Sequence, residues 1–209
     1  MSEETVILVH GIWTNGLEMG LLGARLEHAG YETRRFSYHS VHATPVENAL
    51  ALQSFTEKIT SPVIHYVCHS LGGIVARHLF HNYPERAPGR VVTLGTPHVI
   101  SRAAGVLTKH FSGRILFGQS LKQGLLGNAP PWHGTHDLGV IAGTLRFGLG
   151  FLVPGIPRPN DGTVAVVETM LEGMQDHITV PASHTGMLFS KTAADQTIYF
   201  LRNGHFLHR

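Results

Sequence analysis

The sequence predicts an α/β fold, a mostly parallel central sheet of about six strands with helices on both faces. Three observations predict it. Short apolar runs rich in β-branched residues alternate along the chain with longer amphipathic stretches. The first of these runs, Val6–Val9, is apolar at every position, as in a strand buried on both faces. Finally, 43% of the 209 residues are hydrophobic and only 14% charged, against roughly 25% charged in an average soluble domain. That composition and length suit one domain spanning residues 1–209 with a sizeable core.

The elements follow in order. After the Val6–Val9 strand, Asn15 and Glu18 have the spacing of a capping box, and Leu17, Leu21, Leu22 and Leu26 form the apolar stripe of a helix that Gly30 ends. Tyr31–Tyr38 alternates more weakly and suits a second strand. Thr44, Pro45 and Glu47 are an N-cap, a first-turn proline and an acid where the macrodipole favours one. The helix they start draws its apolar contacts from Val46, Leu50, Leu52, Phe55 and Ile59. Pro62 opens a third strand, Val63–Cys68, and a helical pattern from Leu71 to Asn82 follows it directly. Arg90–Leu94, Gly139–Ala142 and Ile178–Pro181 supply three further strands, and a closing helix runs from about Met187 to Leu201. The stretch between the fourth and fifth strands is rich in Gly, Leu, His and Pro; a loop that long is functional or carries helices of its own.

Composition excludes several function classes. The 16 Lys and Arg against 14 Asp and Glu leave a net charge of +2 without a basic patch, so no nucleic-acid partner is expected. The 16 histidines add positive charge only below about pH 6.5. One cysteine, Cys68, rules out an intramolecular disulfide. The acidic start Met1–Glu4 and the short Val6–Val9 run do not make a signal peptide, and glycines and two prolines break the apolar run Phe147–Pro157. A bilayer span needs about 20 apolar residues. The expectation is a cytoplasmic protein without stable membrane insertion. No phosphate-binding loop and no Gly-x-Gly-x-x-Gly after a strand is present, so no cofactor is expected. His133, His136 and Asp137 form a short cluster without a recognisable ligand pattern, and no metal is expected.

The junction Val67-Cys68-His69-Ser70-Leu71-Gly72-Gly73 joins a strand to a helix without a loop. Ser70 therefore sits on a sharp turn at the carboxyl edge of the sheet, with a helix N-terminus beneath any charge that develops there. Small residues are needed two before and two after it, where strand and helix cross, and Cys68 and Gly72 fill those places. Cys68 itself ends an apolar strand and reads as a small packed hydrophobe. The pattern resembles the Gly-x-Ser-x-Gly nucleophile elbow of the α/β-hydrolase superfamily, with Cys68 in place of the first glycine.

That resemblance implies a chain order of nucleophile, acid and base. Pro159-Asn160-Asp161-Gly162-Thr163-Val164 looks like the family's Asp-Gly-x-Val acid loop and gives Asp161 as the orienting acid, with Asp137 and Glu168 as weaker candidates. Ser183-His184-Thr185-Gly186 precedes the last helix, where the superfamily carries its base; this gives His184, with His177 as its rival. Val9-His10-Gly11-Ile12 resembles the His-Gly-x loop of lipases and esterases, implying oxyanion donors in the backbone N–H groups of Ile12 and Leu71 and a structural role for His10. Gly95-Thr96-Pro97-His98 is a further match common in lipase-like members. Together these pieces resemble the small bacterial lipase and esterase branch, including lipase class 2 and GPI-inositol-deacylase-like relatives.

The resemblance implies a serine hydrolase that cleaves carboxylic esters through an acyl-enzyme. Residues 99–136 would lie over the site as a cap, their Leu107, Phe111, Ile115, Leu116, Phe117, Leu121, Leu125 and Leu126 lining an apolar channel or packing the insertion's own helices. Trp13 and Leu17 are candidate pocket walls. The expected partner is a small-molecule ester with an apolar acyl group. Acyl transfer or thioester cleavage on the same residues, and an inactive hydrolase fold that only binds, are the alternatives.

Overall fold

A computed structural model describes residues 4–84, 88–109, 111–133, 136–148 and 155–208. Its centre is a six-stranded sheet of β1 (Glu4–Val9), β2 (Glu32–Phe36), β3 (Val63–His69), β4 (Val91–Leu94), β5 (Leu138–Gly143) and β6 (Asp176–Val180). The order is β2-β1-β3-β4-β5-β6 and every pairing is parallel. Parallel neighbours require crossover connections; α1 (Gly20–His28), α2 (Pro45–Thr56), α3 (Leu71–Asn82), and α4 (Arg102–Leu107) with α5 (Phe111–Phe117) supply the first four, the link from β5 to β6 carries a 3-10 turn, Val166–Thr169, and α6 (Lys191–Asn203) closes the fold.

Side chains alternate across each strand and feed two cores. Ile7, Val9, Tyr66 and Cys68 point to one face, against Leu52 of α2 and Ile74 and Leu79 of α3. Val6, Leu8, Val67 and Val92 point to the other, against Leu22 and Leu26 of α1 and Phe200 of α6. The chain runs outward from β1 to β2 and then returns to the far side of β1 with β3. That reversal opens a crevice beyond the carboxyl ends of β1 and β3, the place where open parallel sheets bind ligands.

The local signals are met unevenly. Thr44 and Glu47 form the expected capping box: Thr44 Oγ1 accepts from the Glu47 N–H at 3.2 Å and the Glu47 carboxylate from the Thr44 N–H at 2.7 Å. Asn15 and Glu18 do not. Asn15 accepts from the Leu17 N–H and Glu18 from the Gly16 N–H, so the chain enters α1 through a 3-10 turn, Leu17–Met19, capped by left-handed Gly16. The turn swings Leu17 into solvent, 69% exposed, and Leu21 and, in α2, Leu50 are exposed as well. The second strand is shorter than expected because Tyr38 leaves the sheet to stack on His10. The last helix starts later, at Lys191, since Thr185–Leu188 forms a separate 3-10 turn and Ser190 is the cap. Part of the Phe147–Pro157 run lies outside the described residues; among those described, no helix is long and apolar enough to cross a membrane.

The crossing of α3 over the ends of β1 and β4 fixes the centre of the molecule. A Cβ on Gly72 would lie 2.5 Å from the Val9 carbonyl oxygen and 2.6 Å from that of His10, and one on Gly73 would lie 2.2 Å from Thr96 Oγ1. Backbone cannot yield as a flexible side chain does, so Gly72→Ala is expected to destabilise the fold by about 1–3 kcal/mol. A thermal melt should show the midpoint lowered by several degrees; an unchanged midpoint would contradict this close packing.

Candidate active site

β3 ends at His69 and α3 begins at Leu71, so Ser70 is the entire connection. It is held at φ 52 and ψ −118, a conformation that non-glycine residues adopt rarely and only when their surroundings impose it. Those surroundings are identifiable. The Ser70 N–H donates to the Leu94 carbonyl at 2.9 Å, and its own carbonyl accepts from the Gly73 N–H at 3.1 Å and Thr96 Oγ1 at 2.9 Å. Cys68 is fully buried and burial pushes its thiol pKa up, so it stays a packed neutral group.

Two loops from the far half of the sheet reach the hydroxyl. The Ser70 Oγ–H donates to His184 Nε2 at 3.0 Å, and His184 Nδ1–H donates to Asp161 Oδ2 at 2.7 Å. Asp161 is 1% exposed. Its second oxygen accepts from the Thr163 and Val164 N–H groups at 2.8 and 2.7 Å, so the buried carboxylate has partners on both oxygens. The His184 N–H donates to the Asp161 carbonyl at 2.9 Å, fastening the two loops to each other. Glycines at the ends of β4 and β5 leave them room. A Cβ on Gly95 would lie 3.0 Å from His184 Nδ1, and one on Gly143 would lie 2.8 Å from Asp161 Cβ.

The other candidates are engaged elsewhere. Asp137 pairs with Arg90 at 3.1 Å, and His177 hydrogen-bonds to Thr169. Glu168 accepts the N–H groups of Arg102 and Ala165, both at 2.8 Å, and burial raises its carboxyl pKa. His10 is buried, which lowers its pKa. Its Nε2 accepts from the Tyr38 N–H, and its Nδ1–H donates to the Gly11 carbonyl at 2.7 Å, which bends the chain after β1. Gly11 then passes so close that a Cβ on it would lie 3.2 Å from Ser70 Cβ. Ile12 follows on this loop, while Leu71 opens α3, where an N–H has no acceptor within the helix. Among the described residues, no group of three or more His, Cys, Asp or Glu is placed to hold a metal ion. His136 packs on Phe80, and residues 134–135 lie outside the described residues.

A cavity of about 480 Å³ opens beside Ser70 and His184. Trp13 lines it, and so do Leu107, Phe117 and Leu125 from the segment between β4 and β5. The Trp13 Nε1–H donates to the Leu116 carbonyl at 2.9 Å and its ring meets that of Phe117, joining the loop after β1 to α5. Leu17 does not line the cavity; the 3-10 turn points it outward. Ile115, Leu116 and Leu126 are exposed, Leu121 packs on the core, and the Phe111 side chain lies outside the described residues. Sequence reasoning missed Ala103, Ala104, Phe147, Phe189 and His69, which also line the cavity. The two alanines give no periodic signal in so short a helix, and His69 is one histidine among 16.

No family model matches the sequence, and comparison with curated proteins gives no match. Solved structures do match. The lipase BlEst2 of Bacillus licheniformis, in its propeptide form, superimposes with a TM-score of 0.74 at 16% identity over 98% of this chain and 50% of that one. Carboxylesterase CesB of Bacillus subtilis gives 0.61 at 14% identity, covering 96% and 84%. The mouse alpha/beta hydrolase domain-containing protein 10 gives 0.63 at 14% identity, covering 95% and 88%. The chain has the α/β-hydrolase fold. It spans half the length of the Bacillus licheniformis lipase. The carboxyl edge of the six-stranded sheet carries Ser70 at the β3–α3 junction and Asp161 and His184 on two separate loops.

Building this edge placed two histidines, His69 and His98, in the interior, where burial pushes the pKa of each down to about 3. Both are neutral in the folded chain, whereas in the unfolded chain each titrates near its ordinary 6.5. Their contribution to stability is therefore complete above about pH 6.5 and is lost as the pH falls toward 3. Unfolding at pH 5 is expected to take up about two protons at these sites, each worth about 1.4 kcal/mol per pH unit. Calorimetry between pH 7 and 5 should show the melting temperature falling; a midpoint independent of pH would contradict neutral burial.

Proposed function

We propose that the chain is a serine hydrolase of carboxylic esters in which Ser70 is the nucleophile, His184 the general base and Asp161 the orienting acid. The single observation that carries this reading is the imidazole of His184, bridging the Asp161 carboxylate at 2.7 Å and the Ser70 hydroxyl at 3.0 Å. A serine hydroxyl is a weak nucleophile until a base takes its proton. Here Nε2 receives that proton as Oγ attacks the ester carbonyl carbon. Asp161 holds the ring in the tautomer that leaves Nε2 bare and stabilises the imidazolium that forms. The carbonyl oxygen becomes an anion between the N–H groups of Ile12 and Leu71, each such donor being worth about 3 kcal/mol in the transition state. The imidazolium then protonates the departing alcohol, and water attacks the acyl-enzyme by the same route in reverse.

The substrate we infer is an ester with an apolar acyl group, and residues 99–136 act as its cap. Supporting this, Leu107, Phe117, Leu125, Ala103 and Ala104 present an apolar wall to the cavity next to Ser70. The motif pattern around Ser70, Asp161 and His184 further supports the small lipase and esterase branch, with lipase class 2 and GPI-inositol-deacylase-like relatives.

Two measurements test the reading. Ser70→Ala is expected to lower kcat on p-nitrophenyl esters by about 10⁴–10⁶-fold and to abolish labelling by a fluorophosphonate probe, and Asp161→Asn to cost about 10⁴-fold. Hydrolysis retained in purified Ser70→Ala protein would refute it. For the cap, Ala104→Phe fills the wall, so kcat/KM should drop by about tenfold or more on octanoate while acetate is little affected. An unchanged chain-length profile would show that the acyl group lies elsewhere.

A further inference from the structure

His69 stands one residue before Ser70, at the end of β3, and its side chain is buried. Its Nε2 lies 3.1 Å from the carbonyl oxygen of His184. A carbonyl only accepts, so Nε2 carries the proton and donates it. Nδ1 is then a bare acceptor, and it has no hydrogen-bond partner among the described residues. The ring is tilted against that of His184 with centroids 4.9 Å apart. On its other side a Cβ on Gly11 would lie 3.0 Å from Nδ1. The ring thus fills the space between the loop after β1 and the loop that carries His184.

We propose that His69 is a positioning residue that sets the distance between Ser70 and His184, an inference that rests on the ester-hydrolase reading above. The argument is geometric. Ser70 is immobilised by its place between β3 and α3 and by bonds to Leu94, Gly73 and Thr96. His184 comes from a loop, so its approach to Ser70 is set by whatever fixes that loop. The N–H side of His184 is tied to Asp161 and its carbonyl side to His69. The second tie runs from the residue adjoining the nucleophile to the residue that is the base. It links the reacting segments a second time, without taking part in proton transfer. Near-attack geometry is sensitive on this scale, since a displacement of about 1 Å in a reacting group can cost about 100-fold in rate.

The neutrality of the ring suits this task. A cation at this place would oppose the imidazolium that His184 becomes during attack, and a hydrocarbon side chain would fill the space but leave the His184 carbonyl without its donor. A neutral imidazole supplies the volume and the donor together. The unpartnered Nδ1 is the cost of that arrangement.

The test compares His69→Phe, which keeps a ring and loses the donor, with His69→Gln, which keeps an N–H donor. Both are measured per active site titrated with a fluorophosphonate, alongside the melting temperature. A residue that only supports folding would lower the yield of active sites and leave kcat per site unchanged. The expected result is a fall of about 10- to 100-fold in kcat per site for His69→Phe, with KM within about twofold and partial recovery in His69→Gln. Wild-type kcat per site in His69→Phe overturns the proposal, as does an equal loss in the two variants. If His69→Phe does not fold, His69→Met carries the same expectation, and failure of both to fold makes the position structural and also overturns it. A wild-type protein without ester turnover would defeat the hydrolase reading itself and this inference with it.

Discussion

Everything at the carboxyl edge of this sheet depends on how closely α3 crosses the ends of β1 and β4. The crossing leaves no space for a side chain on Gly72 or Gly73. It is what holds Ser70 at a positive φ against its own preference. A left-handed serine in an open loop would relax. Here its N–H and its carbonyl are both engaged by β4 and the loop after it, and the helix that follows is pinned under the β1 exit. The strain is stored by packing, and the packing belongs to the whole sheet.

The acid and base loops are solved by a different physical means. A carboxylate as buried as Asp161 would be prohibitively unfavourable alone. It is made acceptable by two backbone N–H groups on one oxygen and the imidazole on the other. The Asp161 loop and the His184 loop are thereby one polar unit, and the glycines at positions 95 and 143 let that unit settle on the sheet ends. His69 joins the same unit from the side of β3, so hydrogen bonds link all three segments through His184.

The segment between β4 and β5 is fastened at both ends by buried charged side chains whose partners are backbone groups. Arg77 of α3 donates to the carbonyls of His98, Ala129 and Pro130, and burial lowers its pKa to about 10. Glu168 accepts from the first N–H groups of α4 and of its own turn, and its carbonyl receives the His98 N–H at 2.8 Å. The wall that Ala103, Ala104 and Leu107 give the cavity therefore has a defined position relative to Ser70. Arg77 is inconspicuous in the sequence, because a charged residue in a helix ordinarily faces water, and Glu168, read there as a candidate acid, serves as a structural anchor.

Much of the molecule is legible without coordinates, for reasons that lie in local physics. Central parallel strands are buried on both faces and largely apolar, so β1, β3, β4 and β5 are marked by their own composition, and a proline, a threonine and a glutamate mark the start of α2 wherever the helix packs. The strand-to-helix junction at Ser70 and the small residues around it are equally local. The order of Asp161 and His184 after it was readable through resemblance to a superfamily. What only the folded structure decided is which of several nearby N–H groups a side chain takes, and everything that depends on two distant segments meeting. The Asn15 and Glu18 side chains found other N–H groups because Gly16 turned the chain first; Leu17 faces water in place of the cavity for the same reason. Which of 16 histidines donates to the His184 carbonyl is likewise set by where β3 ends relative to a loop far along the chain. Periodicity and capping are short-range and written in neighbouring residues, whereas closeness across a sheet is fixed only when all the strands are in register.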